Sequence, residues 1–268
     1  MRHTPIDEAL PPLQVVAQAG STNADLARMA VQDPQQWPHL SGLLARRQVA
    51  GRGRSGRTWT TGSGALTFSV LVRPEQEREQ WGWLPLLAGA AVVRAVVQHS
   101  GPPARAGELV GVKWPNDVVH TAGQEQLPHW GRMRKLAGLL TETLTDGTGV
   151  VLGIGVNLRA DELPVAWAGA ADEVGCVAGA LELAETVRKQ LSGLLQLWDA
   201  GGDPTRLVTP VCRTLGQRVR VELPGGADVV GRAVALAQDG ALVVRSEGHQ
   251  EHVVRAGDVR HLRAAEGT

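Results

Sequence analysis

The sequence predicts an α+β domain followed by a small all-β module. In the first domain, strand patterns alternate with helical patterns, and an amphipathic stripe over residues 180–198 predicts a long helix. From about residue 215, short β-branched runs separated by turn residues replace the helical patterns. This change predicts a first domain of residues 1–212 and a second domain of residues 213–268.

The first domain is predicted to begin with a helix, because Ser21 or Thr22 can cap the apolar repeat that follows. A second helix tolerates Pro85 because the proline lies in its first turn. Helices are predicted at residues 21–30, 83–98 and 180–198, and strands at residues 42–48, 66–73, 111–120, 135–144 and 150–159. Residues 145–148 favour a hairpin turn, and the insert at residues 121–134 is predicted to be a surface loop.

The second domain is predicted to be a small β-barrel. Its strands are expected at residues 218–223, 229–237, 241–245 and 252–254, with turns at residues 224–226 and 238–240. These runs are too short and too rich in β-branched residues for helices.

Composition excludes several classes of function. The 27 Lys and Arg residues balance the 27 Asp and Glu residues, so no global field draws the chain to nucleic acid or to an anionic membrane. Cys176 and Cys212 lack the spacing of a zinc site or a disulfide framework. Without an N-terminal signal pattern or an apolar run near about 18 residues, a soluble cytoplasmic protein is expected.

Residues 48–59 form a glycine-rich run with three arginines, closed by Trp59. Glycines let the backbone approach a ligand closely, and guanidinium groups match the geometry of phosphate oxygens. Such a loop predicts binding of an anion, although a solvated basic turn is the alternative if the loop is taken alone.

Four further segments must be considered together with this loop. The five segments are residues 21–23, 48–59, 112–117, 134–138 and 153–158. In this order they resemble the biotin protein ligases, the enzymes that attach biotin to a carrier-protein lysine, and the similarity covers nearly the whole chain. The family usually has Asp where Gly20 stands here, and the insert before Lys135 looks longer than in the family.

The resemblance implies a fold and an activity. The fold is the class II synthetase-like biotin/lipoate ligase fold, a mixed sheet with helices on one face and ligand loops on the other, followed by an SH3-like barrel. The activity joins biotin to ATP as biotinyl-5′-AMP with Mg²⁺, then transfers biotin to a biotin carboxyl carrier protein, of acetyl-CoA carboxylase or a related carboxylase. No DNA or membrane partner is expected, and a homodimer is possible.

The resemblance also implies a biotin site. A ureido ring needs polar partners, because an unpaired buried polar group costs about 1–3 kcal/mol. The implied biotin-binding residues are Ser21, Thr22, Asn23, Gln48, Gly51, Arg52, Gly53, Arg54, Lys135, Gly138 and Gly155. Simple helix capping stays an alternative for Ser21 and Thr22, and a packing requirement stays one for Gly138.

Activation at a phosphate builds negative charge that fixed cations can stabilise. Arg52, Arg54, Arg57, Lys113 and Lys135 are the candidate cations, and the resemblance implies that Lys135, Arg52 and Arg54 are the catalytic residues. The implied ATP-binding residues are Arg54, Arg57, Trp59, Lys113, Asn116 and Asn157. Asp117 is the expected Mg²⁺ ligand, since this ion takes few carboxylates together with phosphates, although Asn116 and Asp117 could also form only a turn.

Three other functions are alternatives for this sequence. A DNA-binding regulator would need a helix-turn-helix module, and the roughly 20 residues before Ser21 are expected to be too few. A lipoate or octanoate enzyme would share the fold, but the ureido set and the arginine loop favour biotin. A noncatalytic binding module would lack the five cations that the segments carry.

Overall fold

The computed structural model describes residues 9–59, 62, 64–101, 105–128, 130–223, 228–255 and 257–261. Within them, twelve strands form two sheets. The first sheet contains β1 (Leu13–Ala19), β2 (Gly42–Gln48), β3 (Ala65–Val72), β4 (Val110–Lys113), β5 (Asp117–His120), β6 (Arg134–Thr143) and β7 (Val150–Asn157). The second contains β8 (Arg218–Glu222), β9 (Asp228–Leu236), β10 (Leu242–Arg245), β11 (Glu251–Val254) and β12 (Asp258–His261).

The first sheet is mixed, as predicted. Its strand order is β1-β2-β3-β7-β6-β5-β4, with β1 parallel to β2 and every other pair antiparallel. The β6–β7 hairpin forms at the predicted turn, and it places Gly138 opposite Gly155 in the middle of the sheet. At this pair of glycines, the two central strands β6 and β7 expose bare backbone on the face of the sheet.

The helices of the described chain are α1 (Thr22–Gln32), α2 (Leu84–Gln98), α3 (Ala106–Leu109), α4 (Ala180–Asp199) and α5 (Pro204–Val208). The predictions of α1, α2 and α4 are confirmed. Ser21 caps α1 by accepting a hydrogen bond from the Ala24 N–H, and a proline stands in the first turn of α2. The sequence did not predict β1, α3, α5 or β12.

The helices pack on both faces of the first sheet. Phe68 of β3 lies in an apolar cluster with α2 and α4, whereas Leu71 of the same strand packs with Leu26 of α1. Because β2 and β3 carry large apolar residues on both faces, each face needs a covering helix. The expectation that all helices lie on one face is therefore wrong for α1, which shares the ligand face.

The predicted strand at residues 111–120 is two strands. A turn at residues 114–116, with a cis Trp114–Pro115 peptide bond, separates β4 from β5, which then pair antiparallel. Proline lacks the N–H that a continuous ladder requires, so the chain reverses there.

The second sheet is antiparallel, in the order β11-β10-β9-β8-β12, and contains the four predicted strands. The predicted turn at residues 224–226 lies outside the described residues. Closure into an SH3-like barrel stays a prediction.

The two sheets are joined by buried contacts. The indole N–H groups of Trp83 and Trp114 donate to the carbonyls of Gln238 and Gly240, at 2.7 and 3.0 Å. Immediately after the predicted domain boundary, the Arg213 N–H donates to the Val112 carbonyl at 2.7 Å. The boundary between residues 212 and 213 stays a prediction, and it falls in a segment that packs against β4.

By length and composition alone, the segment Arg78–Gln98 is apolar enough to cross a membrane. Most of α2 is buried against α4 and the first sheet, as in the core helix of a globular fold.

Candidate functional site

The five segments singled out in the sequence meet at one cavity of about 470 Å³ on the α1 face of the first sheet. Fifteen predicted site residues line it: Ser21, Thr22, Asn23, Gln48, Arg52, Gly53, Arg54, Arg57, Trp59, Lys113, Asn116, Asp117, Lys135, Gly138 and Gly155. Gly51 and Asn157, the other two predicted residues, do not line it.

One end of the cavity carries amide and hydroxyl groups. The Thr22 N–H donates to Gln48 Oε1 at 2.9 Å, which fixes the carboxamide of Gln48 at the end of β2. The Ser69 hydroxyl lies 2.8 Å from Thr22 Oγ1 and adds a polar group that the sequence did not single out. This end can therefore pair with a ligand that has both donors and acceptors.

The side chain of Asn23 forms hydrogen bonds with other protein groups. Its Nδ2 donates to the Leu140 carbonyl at 3.2 Å and to Glu142 Oε2 at 2.8 Å, and its Oδ1 accepts from Ser69 at 2.7 Å. A Cβ on Gly153 would lie 2.4 Å from this Oδ1. Asn23 therefore holds α1 against the sheet, and its side chain is already committed to protein partners.

Trp59 covers the two facing glycines. A Cβ would lie 2.8 Å from Trp59 Cζ3 if built on Gly138, and 2.4 Å from Trp59 Cε2 if built on Gly155. Real Cβ atoms do not approach so closely, so the indole can lie there only because both positions are glycine. The indole therefore lies directly on both glycines, and together they give the cavity a flat apolar side, the Trp59 slot, beside its polar end.

The arginine loop folds back on itself. The Trp59 N–H donates to the Gly51 carbonyl at 3.0 Å, and the Gly53 N–H donates to the Arg57 carbonyl at 2.7 Å. A Cβ on Gly51 would lie 2.4 Å from the Trp59 carbonyl oxygen, which explains the glycine there. Gly51 thus shapes the loop from outside the cavity.

Two loop arginines reach other parts of the protein. Arg54 donates to Asn116 Oδ1 at 3.1 Å, and Arg57 forms an ion pair with Asp258 of β12. Arg52 lies at a longer 4.0 Å from Glu142 and is largely exposed. The loop is therefore attached to the turn between β4 and β5 and to β12 at the edge of the cavity.

Two lysines, Lys113 and Lys135, add positive charge to that of the loop arginines in the cavity. Lys135 Nζ lies 2.6 Å from Asp117 Oδ1, and both side chains are largely buried. Burial lowers the pKa of Lys113, and the nearby Asp117 carboxylate partly opposes that shift. The single Asp117 carboxylate therefore lies near two buried ammonium groups. Because the positive charge exceeds the negative charge there, the region favours binding of a further anion.

Asn157 does not face the cavity. Its Nδ2 donates to the carbonyls of Gly169 and Lys135, at 3.0 and 3.3 Å. The side chain thus ties β7 to the backbone that carries Lys135.

The cavity also contains residues that the sequence analysis did not select. Trp130 of the predicted surface loop stacks on Trp167, with ring centroids 5.2 Å apart and planes 7° from parallel. Glu222, Asp258 and Arg260 enter from the second sheet. No local signal indicates these residues, because their contacts join distant parts of the chain.

The described part of the chain has no group of three or more His, Cys, Asp or Glu residues able to hold a metal ion. Asp117 is a carboxylate at the centre of the cation cluster. A divalent cation with mainly phosphate oxygen ligands would fit there, since Mg²⁺ is commonly bound by one or two carboxylates.

Comparison with known families identifies the family to which this fold belongs. A model of the biotin/lipoate A/B protein ligase family matches residues 21–158, and a model of the biotin protein ligase C-terminal domain matches residues 214–262. The chain belongs to the biotin/lipoate A/B protein ligase family. The first match contains every predicted site residue.

Individual relatives agree with this assignment. A biotin–[acetyl-CoA-carboxylase] ligase from Mycobacterium tuberculosis is 39% identical over 260 residues, which are 94% of this chain and 89% of the relative. The structure of the Aquifex aeolicus biotin protein ligase with biotin and ATP is 25% identical, with a TM-score of 0.73 over 93% of this chain and 99% of that one. The Leishmania major biotin protein ligase with biotinyl-5-AMP is 27% identical, with a TM-score of 0.61 over 95% and 99%.

These matches confirm three predictions: the resemblance to biotin protein ligases, the fold class, and an enzyme of the ligase type. They also account for the antiparallel C-terminal sheet as a domain of this family.

Proposed function

We propose that this protein activates biotin with ATP and transfers the biotinyl group to a lysine of a biotin carboxyl carrier protein. The observation that carries the proposal is the convergence of five distant segments on one cavity. That cavity joins an amide and hydroxyl end, a flat apolar slot and a cluster of cations. These are the three environments that a ureido ring, an apolar acyl chain and a triphosphate require.

The polar end binds the ureido ring through Ser21, Thr22 and Gln48. The apolar part of biotin lies against the Trp59 slot. Asn23 and Gly51 act as positioning residues, because Asn23 secures α1 and Gly51 allows the loop to close beside Trp59.

In the first step, a carboxylate oxygen of biotin bonds to the α-phosphorus of ATP, and the bond to the bridging oxygen of pyrophosphate breaks. Negative charge grows on the phosphate oxygens and the leaving group. Lys135, Arg52 and Arg54 stabilise this charge, while Arg57, Lys113, Asn116 and Trp59 help to hold the nucleotide. Removal of one such donor typically costs about 3 kcal/mol of transition-state stabilisation.

Asp117 orients Lys135 through their 2.6 Å ion pair, and Asn157 supports the same strand through the Lys135 carbonyl. Mg²⁺ would be held by Asp117 together with nucleotide phosphates, and it would neutralise phosphate charge. Asn157 is thus a positioning residue in this proposal and contacts no substrate.

In the second step, the neutral amine of the carrier lysine attacks the acyl carbon of the adenylate. The carbon–oxygen bond to AMP breaks, the amide forms, and the amine loses a proton. The mixed anhydride must be kept from water between the two steps. The contacts of Arg54 with Asn116 and of Arg57 with Asp258 suit the loop to that task.

The proposed carrier belongs to acetyl-CoA carboxylase or a related carboxylase, and the proposed location is the cytoplasm. The balanced charge supports the absence of a DNA or membrane partner. The proposal is compatible with a homodimer. We also propose that residues 1–212 form the catalytic unit and residues 213–268 the second domain.

Biotin-dependent exchange of labelled pyrophosphate into ATP tests the first step without a carrier. We expect exchange with biotin and none when lipoate replaces it. Exchange with lipoate alone would transfer the proposal to the sister activity, and no exchange with either acid would refute acyl activation.

A further inference from the structure

We infer that His120 and Glu173 are positioning residues for Lys135, the proposed catalytic lysine, and that they act by fixing residues 167–170 beside it. The inference rests on the proposed function. It assigns a role to a buried histidine at the end of β5 and to a carboxylate, neither of which the proposed mechanism otherwise uses.

The first support is the way the 167–170 segment holds the backbone of Lys135. The Lys135 N–H donates to the Trp167 carbonyl at 2.9 Å, and the Gly169 N–H donates to the Lys135 carbonyl at 2.8 Å. The segment therefore runs parallel to β6 at this point, although it is not one of the twelve strands. Because it binds both backbone groups of Lys135, a shift of the segment would also shift this lysine.

The second support is the hydrogen bond between His120 and Glu173. Burial lowers the pKa of the fully buried His120, although Glu173 partly opposes this shift, so the ring is neutral near pH 7. Its Nδ1 accepts from the Ala122 N–H at 3.2 Å, which leaves the ring proton on Nε2, 3.2 Å from Glu173 Oε2. The same oxygen accepts from the Ala170 N–H at 2.7 Å. One carboxylate oxygen thus connects β5 to the end of the segment.

The third support is the close packing of Gly169 on the ends of β5 and β6. A Cβ built on Gly169 would clash with His120 Nε2 and would lie 2.5 Å from Arg134 Cβ, whereas ordinary contact begins at 3.4 Å. The segment can therefore lie directly on the His120 ring only because residue 169 is a glycine. The ring supports the segment from below, and Glu173 ties the segment to the ring.

The test breaks this connection at either end and measures adenylate formation in single turnover on the full chain. Glu173→Ala removes the shared oxygen, and His120→Asn removes the donor, because an asparagine amide can replace Nδ1 but does not extend to Nε2. Water can satisfy the separated groups, but it cannot hold the segment to β5. Each variant should slow adenylate formation by roughly tenfold to a hundredfold, because small misplacements of a catalytic group are costly. The dissociation constant for biotin should stay within about threefold of the wild type.

Two further variants separate positioning from a general loss of stability. Glu173→Gln keeps an oxygen acceptor, so adenylate formation should stay within about threefold of the wild type. His99→Asn is the matched control, because it removes a 2.8 Å contact of another histidine Nε2, with Thr186 Oγ1 of α4. This contact lies on the face of the first sheet that is opposite the cavity. His99→Asn should lower the midpoint of thermal unfolding and leave adenylate formation unchanged.

Hydrogen exchange reports on the segment directly. In Glu173→Ala, the Lys135 and Gly169 amides should exchange at least about tenfold faster than in the wild type, whereas the amides of β3 should not change. If Glu173→Ala does not fold, His120→Asn applies the same criteria.

Three results would overturn the inference: a wild-type rate of adenylate formation in Glu173→Ala, a slow rate without faster exchange of these two amides, or an equally slow rate in Glu173→Gln. Failure of the wild type in biotin-dependent pyrophosphate exchange would refute the proposed function. Normal wild-type exchange with an unaffected Glu173→Ala would refute only the positioning role.

Discussion

Replacement of Gly155 by Ala tests whether the Trp59 slot binds the acyl substrate. The new methyl carbon would lie 2.4, 2.5 and 2.7 Å from Trp59 Cε2, Cζ2 and Nε1. Ordinary contact begins at 3.4 Å, so the indole must retreat by about 1.0 Å (3.4 − 2.4). Overpacking typically costs about 1–3 kcal/mol, and we expect the lower part of that range because Trp59 lies on a loop.

The displaced indole would move into the cavity and should therefore narrow the slot. We expect the dissociation constant for biotin, measured by calorimetry, to rise about tenfold, which corresponds to about 1.4 kcal/mol. The midpoint of thermal unfolding should fall slightly in the same variant. The effect should shrink in Gly155→Ala/Trp59→Phe, because the smaller ring leaves room for the methyl group.

Gly193→Ala is the matched control, because a Cβ at this position in α4 would have no atom within 4 Å apart from its chain neighbours and the backbone of its own helix. It should leave biotin binding unchanged and stabilise the fold by about 0.5–1 kcal/mol. Wild-type biotin affinity in Gly155→Ala, with Trp59 in place, would refute the slot.

Three further predictions concern the charged groups. Lys135→Ala should slow adenylate formation in single turnover about a hundredfold with the fold intact, and an unchanged rate would remove its catalytic role. Arg54→Gly loses the 3.1 Å contact with Asn116, so the loosened loop should release biotinyl-AMP and label nearby lysines; labelling confined to the carrier, seen by peptide mass spectrometry, would contradict this. Burial and Lys113 lower the pKa of His261 to about 3, so only the unfolded chain gains this proton as the pH falls below 6.5. From pH 8 to pH 5.5, urea titrations should therefore show the wild type losing about 1.4 kcal/mol more stability than His261→Gln, and equal losses would disprove the shift.

The sequence predicted the helices well where one stripe faces the core. Six residues of the predicted α4 stripe are buried, whereas its first residue, Leu181, is 53% exposed, and Ser21 caps α1. By contrast, β1 has only partial burial and no regular alternation, because it is an edge strand that gains order from parallel pairing with β2. Local patterning cannot reveal such pairing.

In the candidate site too, local sequence predicts some residues, whereas others depend on contacts between distant parts of the chain. Apart from Gly51, the selected glycines and cations line the cavity, because their chemistry is local. Asn23 and Asn157 were selected with them, yet their amides bond to the protein, which depends on strands far away in sequence. Trp130 and Asp258 were missed for the same reason, since only the folded chain brings them to the cavity.

Intact mass of a purified biotin carrier fragment tests the central claim most directly. The fragment is incubated with this protein, MgATP and equal amounts of biotin and lipoate, with a parallel sample that lacks ATP. We predict a gain of one biotinyl group that depends on ATP. A lipoyl gain, or no gain by a carrier that a known biotin protein ligase modifies, would contradict the account.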